Sequence, residues 1–195
     1  MNFSYPRHFR SKIKGMEKAH IQWNDRVVGW YTVVMGNEGE PLGGGTAESL
    51  ELSQRIAVAE SIEKLEVLHG LSVEERQSFK CERFPTRCGM AAGFEPQATI
   101  HRAIAEGVER WVWSKWIDDG LEISEIKLPK LNDLSNYCFS IFDEVRFFKL
   151  EIHHKINNFP GKINFYATIG FKDGGAFPGS RICGPNVEFP PSYAT

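Results

Sequence analysis

The spacing of apolar and polar residues divides the chain into alternating extended and helical stretches. Ala19-His20-Ile21-Gln22-Trp23 and Val27-Val28-Gly29-Trp30-Tyr31-Thr32-Val33-Val34 are rich in β-forming residues and flank Asn24-Asp25-Arg26, which predicts a hairpin. Glycines at 36–39 and 43–45 break the pattern and predict loop. Thr46 or Ser49 is then placed to cap a helix that runs to about His69 and stops at Gly70. After a short acidic helical turn at 73–77, residues 89–93 are too small for an ordinary strand and must lie close against another part of the chain. A second helix begins near Pro96, passes Trp111, Trp113 and Trp116, and ends at Asp118-Asp119-Gly120. Beyond it the pattern predicts an alternating stretch at 122–128, a helix over 134–142, and strands over 145–152 and 162–169 joined across 157–161. From Lys172 onward Gly and Pro dominate without periodicity, which predicts a loop able to order on a ligand or partner.

The predicted order, β-β-α-α-β-α-β-β, is that of an α+β fold with a mainly antiparallel sheet and long helices packed on one face. A chain of 195 residues is long enough for one full domain or two small lobes. One domain over 19–171 is the reading taken, with a basic arm over 1–18 that is solvated and mobile, and a Gly/Pro-rich tail over 172–195.

Within this pattern one segment occurs twice. Ala57-Val58-Ala59-Glu60-Ser61-Ile62-Glu63-Lys64 and Ala103-Ile104-Ala105-Glu106-Gly107-Val108-Glu109-Arg110 differ only by conservative exchanges, forty-six positions apart, and imply an internal strand–helix repeat. Each copy carries Glu-x-x-Glu, a spacing that puts both carboxylates on one side of a helix. Two such helices side by side would assemble four carboxylates. Lys64 follows Glu60 by four residues, and Arg102 and Arg110 bracket Glu106 at the same spacing, so the first glutamate of each pair has a cation on its own helix. The second does not. Glu63 has Ala59 and Val67 at those positions, and Glu109 has Ala105 and Trp113, so their compensation must come from outside the helix. A hard cation such as Mg²⁺ would supply it, as would interhelical salt bridges, and spacing leaves both open. A di-iron centre fits less well, because no histidine stands three residues after these glutamates.

Composition narrows the partners. Net charge is −2 with both signs interspersed, which argues against nucleic acid, and no apolar run is long enough for a membrane helix. The exception is the basic arm, with Arg7, Arg10, Lys12 and Lys14, which has no secretory apolar core. Cys81, Cys88, Cys138 and Cys183 match no zinc spacing and read as reduced thiols of a cytoplasmic protein. His153 and His154 end a strand with their rings on opposite faces. Arg181, in 174–181, is the one charge of a stretch that reads either as a surface turn or as a phosphate-contacting loop. The tryptophans of the second helix read as core and partner surface.

Gly89-Met90-Ala91-Ala92-Gly93 followed by Glu106-Gly107-Val108-Glu109-Arg110 resembles, in order and spacing, the Gly-Leu-Ala-Ala-Gly and Glu-x-x-Glu-Arg signature of the YcaO family. The glycine turn leading to Glu60-Ser61-Ile62-Glu63-Lys64 is similar to that family's earlier Glu-x-x-Glu helix. The resemblance spans roughly residues 43 to 116. It implies ATP bound through Mg²⁺, with Glu60, Glu63, Glu106 and Glu109 as metal ligands and Arg110 as a phosphate contact, joined by Arg102 and Arg181 as further candidates for the nucleotide. It also implies ATP-dependent activation of a peptide backbone amide, giving azolines or thioamides in a cyclodehydratase-type reaction, with a peptide or protein as substrate or partner and a homo-oligomer among the assemblies to expect. The chain departs from the pattern at Ile56, where serine is usual, at Arg102, where glutamine or histidine is usual, at Lys64, which replaces arginine, and at 43–45, which lack a lysine. Family domains are also considerably longer, so a fragment, a half-domain or a member without catalysis is expected. Two other classes remain: a noncatalytic scaffold whose glutamates meet a partner's arginines, and a double-stranded-RNA-binding domain, whose expected lysine cluster at the helix start is missing.

Overall fold

The computed structural model describes residues 7–67, 72, 74–75, 90–93, 95–127, 130–153 and 162–183. Two compact units divide the chain, Met1–Thr99 and Ile100–Thr195. Both combine helix with antiparallel sheet, so the α+β class holds, with two sheets in place of one. Among the described residues no helix is long and apolar enough to cross a membrane.

In the first unit β1 (Ile13–Trp23), β2 (Arg26–Gly36) and β3 (Pro41–Ala47) form an antiparallel sheet in sequence order. The β1–β2 hairpin turns at Asn24 and Asp25, with φ of 48° and 59°. Two successive left-handed residues make the two-residue turn whose twist suits antiparallel strands, and Asn and Asp tolerate that conformation best after glycine. The helix α1 (Leu50–Leu65) follows, its Leu52 amide bonded to the Ser49 side chain at 3.2 Å, so Ser49 is the cap. Phe9, Val34, Leu42, Ala57, Val58 and Leu65 form the core.

Two expectations are corrected here. The basic arm is part of the fold in its described portion, from residue 7: Arg7–Lys12 is a 3-10 helix, Phe9 is buried in the core, and β1 starts at Ile13. Its cations hid this, because Lys14 and Lys18 occupy exposed positions of an edge strand, where charge is common. The glycines 43–45 are strand rather than loop. A Cβ on Gly43 would stand 2.4 Å from the Ser61 amide nitrogen, and one on Gly45 would stand 2.2 Å from the Ser53 carbonyl oxygen. Glycine is needed there because the backbone of α1 occupies the space of a side chain. Ser53, Ala57 and Ser61 present the small face of α1 to it, and the Ser53 hydroxyl lies 2.6 Å from Thr32 Oγ1 and 3.1 Å from the Gly45 carbonyl oxygen.

The strand β3 also carries an irregularity. Val34 pairs with Gly43 and Met35 with Pro41, leaving Leu42 as an extra residue. The bulge turns Leu42 inward beside Val34. Of the acidic turn at 73–77, Glu74 and Glu75 are described and are helical, and Ser72 and Glu75 bond each other's amides in a capping box.

In the second unit α2 (Pro96–Asp119), whose first turn belongs to the preceding unit, ends at Gly120 with φ of 67°. Strands β4 (Ser124–Ile126), β5 (Glu144–His153), β6 (Lys162–Lys172) and β7 (Gly175–Cys183) form an antiparallel sheet in sequence order. Between β4 and β5 lies α3 (Asp133–Phe139), capped by Asn132, which accepts the Ser135 amide at 2.8 Å. Val108, Val112, Trp113 and Trp116 of α2 pack on Phe148, Leu150, Phe165 and Ala167 of the sheet. On the opposite face Phe139 of α3 meets Phe147 edge-on, at 5.5 Å between ring centres.

The tail from Lys172 is corrected in its first part. Residues 175–183 form β7, paired along β6 after a turn at Asp173 and Gly174, whose φ values are 50° and 76°. Its Gly and Pro content reads as loop, yet β6, buried over most of its length, supplies the pairing that holds it. Residues 184–195, the connection 157–161, Cys81, Cys88, His154 and the end of the first helix at 69–70 lie outside the described residues.

Candidate functional site

Each octapeptide lies on a long helix packed on an antiparallel sheet, the first on α1 and the second on α2. Glu60 and Glu63 therefore belong to the first unit, and Glu106 and Glu109 to the second. Three of the four are half-buried, and Glu63 is only 7% exposed. A carboxylate so deep requires hydrogen bonds, since a buried charge without them costs several kcal/mol.

Partners from outside the helix are present for both Glu63 and Glu109, and a neutral donor is among them in each case. The Ala92 backbone N–H donates to Glu63 Oε1 at 2.8 Å. The close approach expected of 89–93 is thus visible in its described part, where a Cβ on Gly93 would also lie 2.4 Å from Thr99 Oγ1. Gly89 itself lies outside the described residues. In the second unit Ser180 Oγ of β7 donates to Glu109 Oε1 at 2.6 Å, and Trp113 Nε1 donates to Ser180 Oγ. Hydrogen bonds of this kind to a charged group are worth about 1.5–3 kcal/mol each. They orient the carboxylate that accepts them.

The remaining candidates are dispersed over the two units. Lys64, at the end of α1, gives its ammonium to the Pro41 carbonyl oxygen at 2.6 Å. Arg102 and Arg110 are exposed on α2. Arg181 falls in β7 opposite Tyr166, so it belongs to a strand and not to a flexible phosphate loop. His153 bonds Glu151 at 3.0 Å, and Glu151 also binds Lys162 at 2.6 Å. Lys162 holds the Glu151 carboxyl below its ordinary pKa of 4.5, with His153 adding to the effect. The Cys138 thiol is free, and burial raises its pKa above the ordinary value. Trp113 and Trp116 stack at 5.1 Å within the core, whereas Trp111 is about half exposed.

Among the described residues no three His, Cys, Asp or Glu converge to hold a metal ion. Oxygen-only carboxylate pairs still fit the demands of Mg²⁺, which takes one or two carboxylates and completes its octahedron with water and phosphate. Ser180 and Ala92 were not foreseeable as partners, because they lie 71 and 29 residues from the glutamates they serve. The only signal was the missing cation at the i−4 and i+4 positions. No family model, curated protein or solved structure matches the chain.

Proposed function

We propose that this is a YcaO-like protein that binds Mg-ATP through its Glu-x-x-Glu helices and uses it to activate a peptide backbone amide. The observation that carries the reading is the shared treatment of the second glutamate in each pair. Glu63 accepts from the Ala92 N–H and Glu109 from the Ser180 hydroxyl, so a donor from another element orients each carboxylate. Mg²⁺ arriving with a triphosphate needs few protein ligands, and an oxygen-only pair suits it. Arg110 and Arg102 are exposed on the helix that carries Glu106 and Glu109, and this reading assigns them to phosphate oxygens.

Calorimetric titration of the protein with Mg²⁺ and ATP tests this. Glu63→Gln and Glu109→Gln keep the acceptor oxygen for Ala92 or Ser180 and remove the charge. Each is expected to weaken binding at least about tenfold, or 1.4 kcal/mol. No heat with the wild-type protein, or equal affinity in both variants, overturns the reading.

A second reading, a noncatalytic interaction member, is favoured by one observation. At Gly43 and Gly45, which precede the first pair, the backbone of α1 fills the space of a side chain, so these two glycines serve packing and not a phosphate. Binding of Mg-ATP without ATP turnover over a panel of peptides would select it.

A further inference from the structure

The basic arm and the strand it leads into form one surface that the functional reading leaves unused. Residues 7–18 hold five cations, Arg7, Arg10, Lys12, Lys14 and Lys18, against the single carboxylate of Glu17, in a chain whose net charge is −2. All six of these residues are exposed. β1 lies at the edge of its sheet, and among the described residues no strand pairs with its outer side. An antiparallel strand pairs with one neighbour through every second residue, so the remaining N–H and C=O groups of β1 point outward, where another backbone can meet them. Of the described edge strands β1 is the longest, with 11 residues and no proline, whereas β4 has three, β3 has seven and starts at Pro41, and β7 is interrupted by Pro178, which has no N–H to give. Glu17, Lys18, Ala19 and His20 are exposed in succession, so neither face is walled along this part of β1.

We infer that β1 is a docking edge for an acidic peptide segment, which adds as a further strand beside the cations of 7–18. The open ladder selects a polypeptide, because main-chain pairing needs N–H and C=O groups at the strand repeat, and neither a nucleic acid nor a lipid carries them. The charge selects carboxylates. A second copy of the chain is disfavoured by the same residues, since it brings five cations against five, and lysine on an edge is a common guard against self-pairing. An acidic strand turns that guard into attraction: main-chain bonds hold the segment, and the cations draw it in and set its preference. The edge uses none of the four repeated glutamates, so this inference is independent of the Mg-ATP reading.

Fluorescence anisotropy with the full chain tests it, using a labelled peptide of alternating Glu and Val, its Lys and Val counterpart, and the Glu-Val peptide methylated at alternate backbone nitrogens. Methylation keeps the charge and removes the donors that a ladder needs. The unmodified Glu-Val peptide alone should bind, more weakly as salt is raised, and hydrogen exchange should show new protection within β1 in its presence. Lys14→Glu combined with Lys18→Glu should weaken binding by at least about tenfold, because two exposed attractions become repulsions. No binding of the Glu-Val peptide, no new protection within β1, or full affinity in the double variant overturns the inference. Equal binding of the methylated peptide, or of single-stranded DNA, marks a general anion surface and also overturns it. Dimerisation of the chain that protects β1 without peptide assigns the edge to a second copy and overturns it as well.

Discussion

The two copies of the glutamate segment rest on their sheets in opposite ways. In the first unit α1 meets β3 through Gly43, Gly45, Ser53, Ala57 and Ser61, so backbone touches backbone. In the second unit α2 meets its sheet through Trp113, Trp116, Phe148 and Phe165, so rings fill the space between. The difference reaches the carboxylates. With small residues at the interface, Glu63 is nearly enclosed and takes a donor from a main-chain amide, which proline alone among substitutions would delete. With large residues, Glu109 remains half-buried and takes its donor from a serine hydroxyl backed by an indole. Matching segments thus draw a donor from the main chain in one unit and from a side chain in the other.

The contrast is broken most severely at the rings. Phe165→Ala should destabilise its unit by about 3–5 kcal/mol, seen as faster hydrogen exchange along β6 and an earlier urea transition, because the ring is fully buried and its cavity cannot collapse against Trp113. Next comes Gly45→Ala. A Cβ there meets the Ser53 carbonyl oxygen and the Ala57 amide nitrogen, 2.2 and 2.7 Å away, and a helix backbone has no rotamer to move. The expected cost is about 3 kcal/mol, the upper end for overpacking, read as lost exchange protection in α1. Gly179→Ala should go the other way. Open space surrounds that position, so the variant should gain about 0.5–1 kcal/mol from the lower chain entropy of alanine in β7, measured by urea unfolding. An equal loss in Gly45→Ala and Gly179→Ala would show that packing on α1 is not what the glycines provide.

The smallest effect concerns pH. The folded carboxyl of Glu151 titrates below its ordinary value of 4.5 because Lys162 bonds its ionised form. That contribution is therefore fully present above 4.5 and fades as pH falls through the depressed folded value. Both partners are well exposed, so the change should be slight, visible as fraying of the β5–β6 end in acid and absent in Glu151→Gln.

Elements with strong periodicity were legible in the sequence. The first hairpin, both glutamate helices and strands β5 and β6 stand close to where the apolar pattern places them, since alternation and capping act locally. Strands β3 and β7 were not legible, and for one reason. Their Gly and Pro content has low intrinsic strand preference, and tertiary partners override it: α1 pressing on Gly43 and Gly45, and β6 pairing along the whole of β7. Phe9 was hidden similarly, because cations surround a single ring that the core recruits. For the candidate site, the pattern exposed the need of Glu63 and Glu109 for partners beyond their own helices. It did not name Ala92 and Ser180, which only the folded chain brings near.

The extra residue at Leu42 divides β3 into two reading frames. Side chains of a strand alternate with a period of two, so a strand without the insertion would point Leu42 outward with Met35 and leave the first core short of an aliphatic group. With it, a leucine and two glycines serve the same side of one seven-residue strand. Moving the insertion a single step toward the N-terminus would present Pro41 to the core instead, without changing one amino acid. Strand phase, set by a lone unpaired residue, is what lets β3 be both an aliphatic wall for Phe9 and Val34 and a bare track for α1.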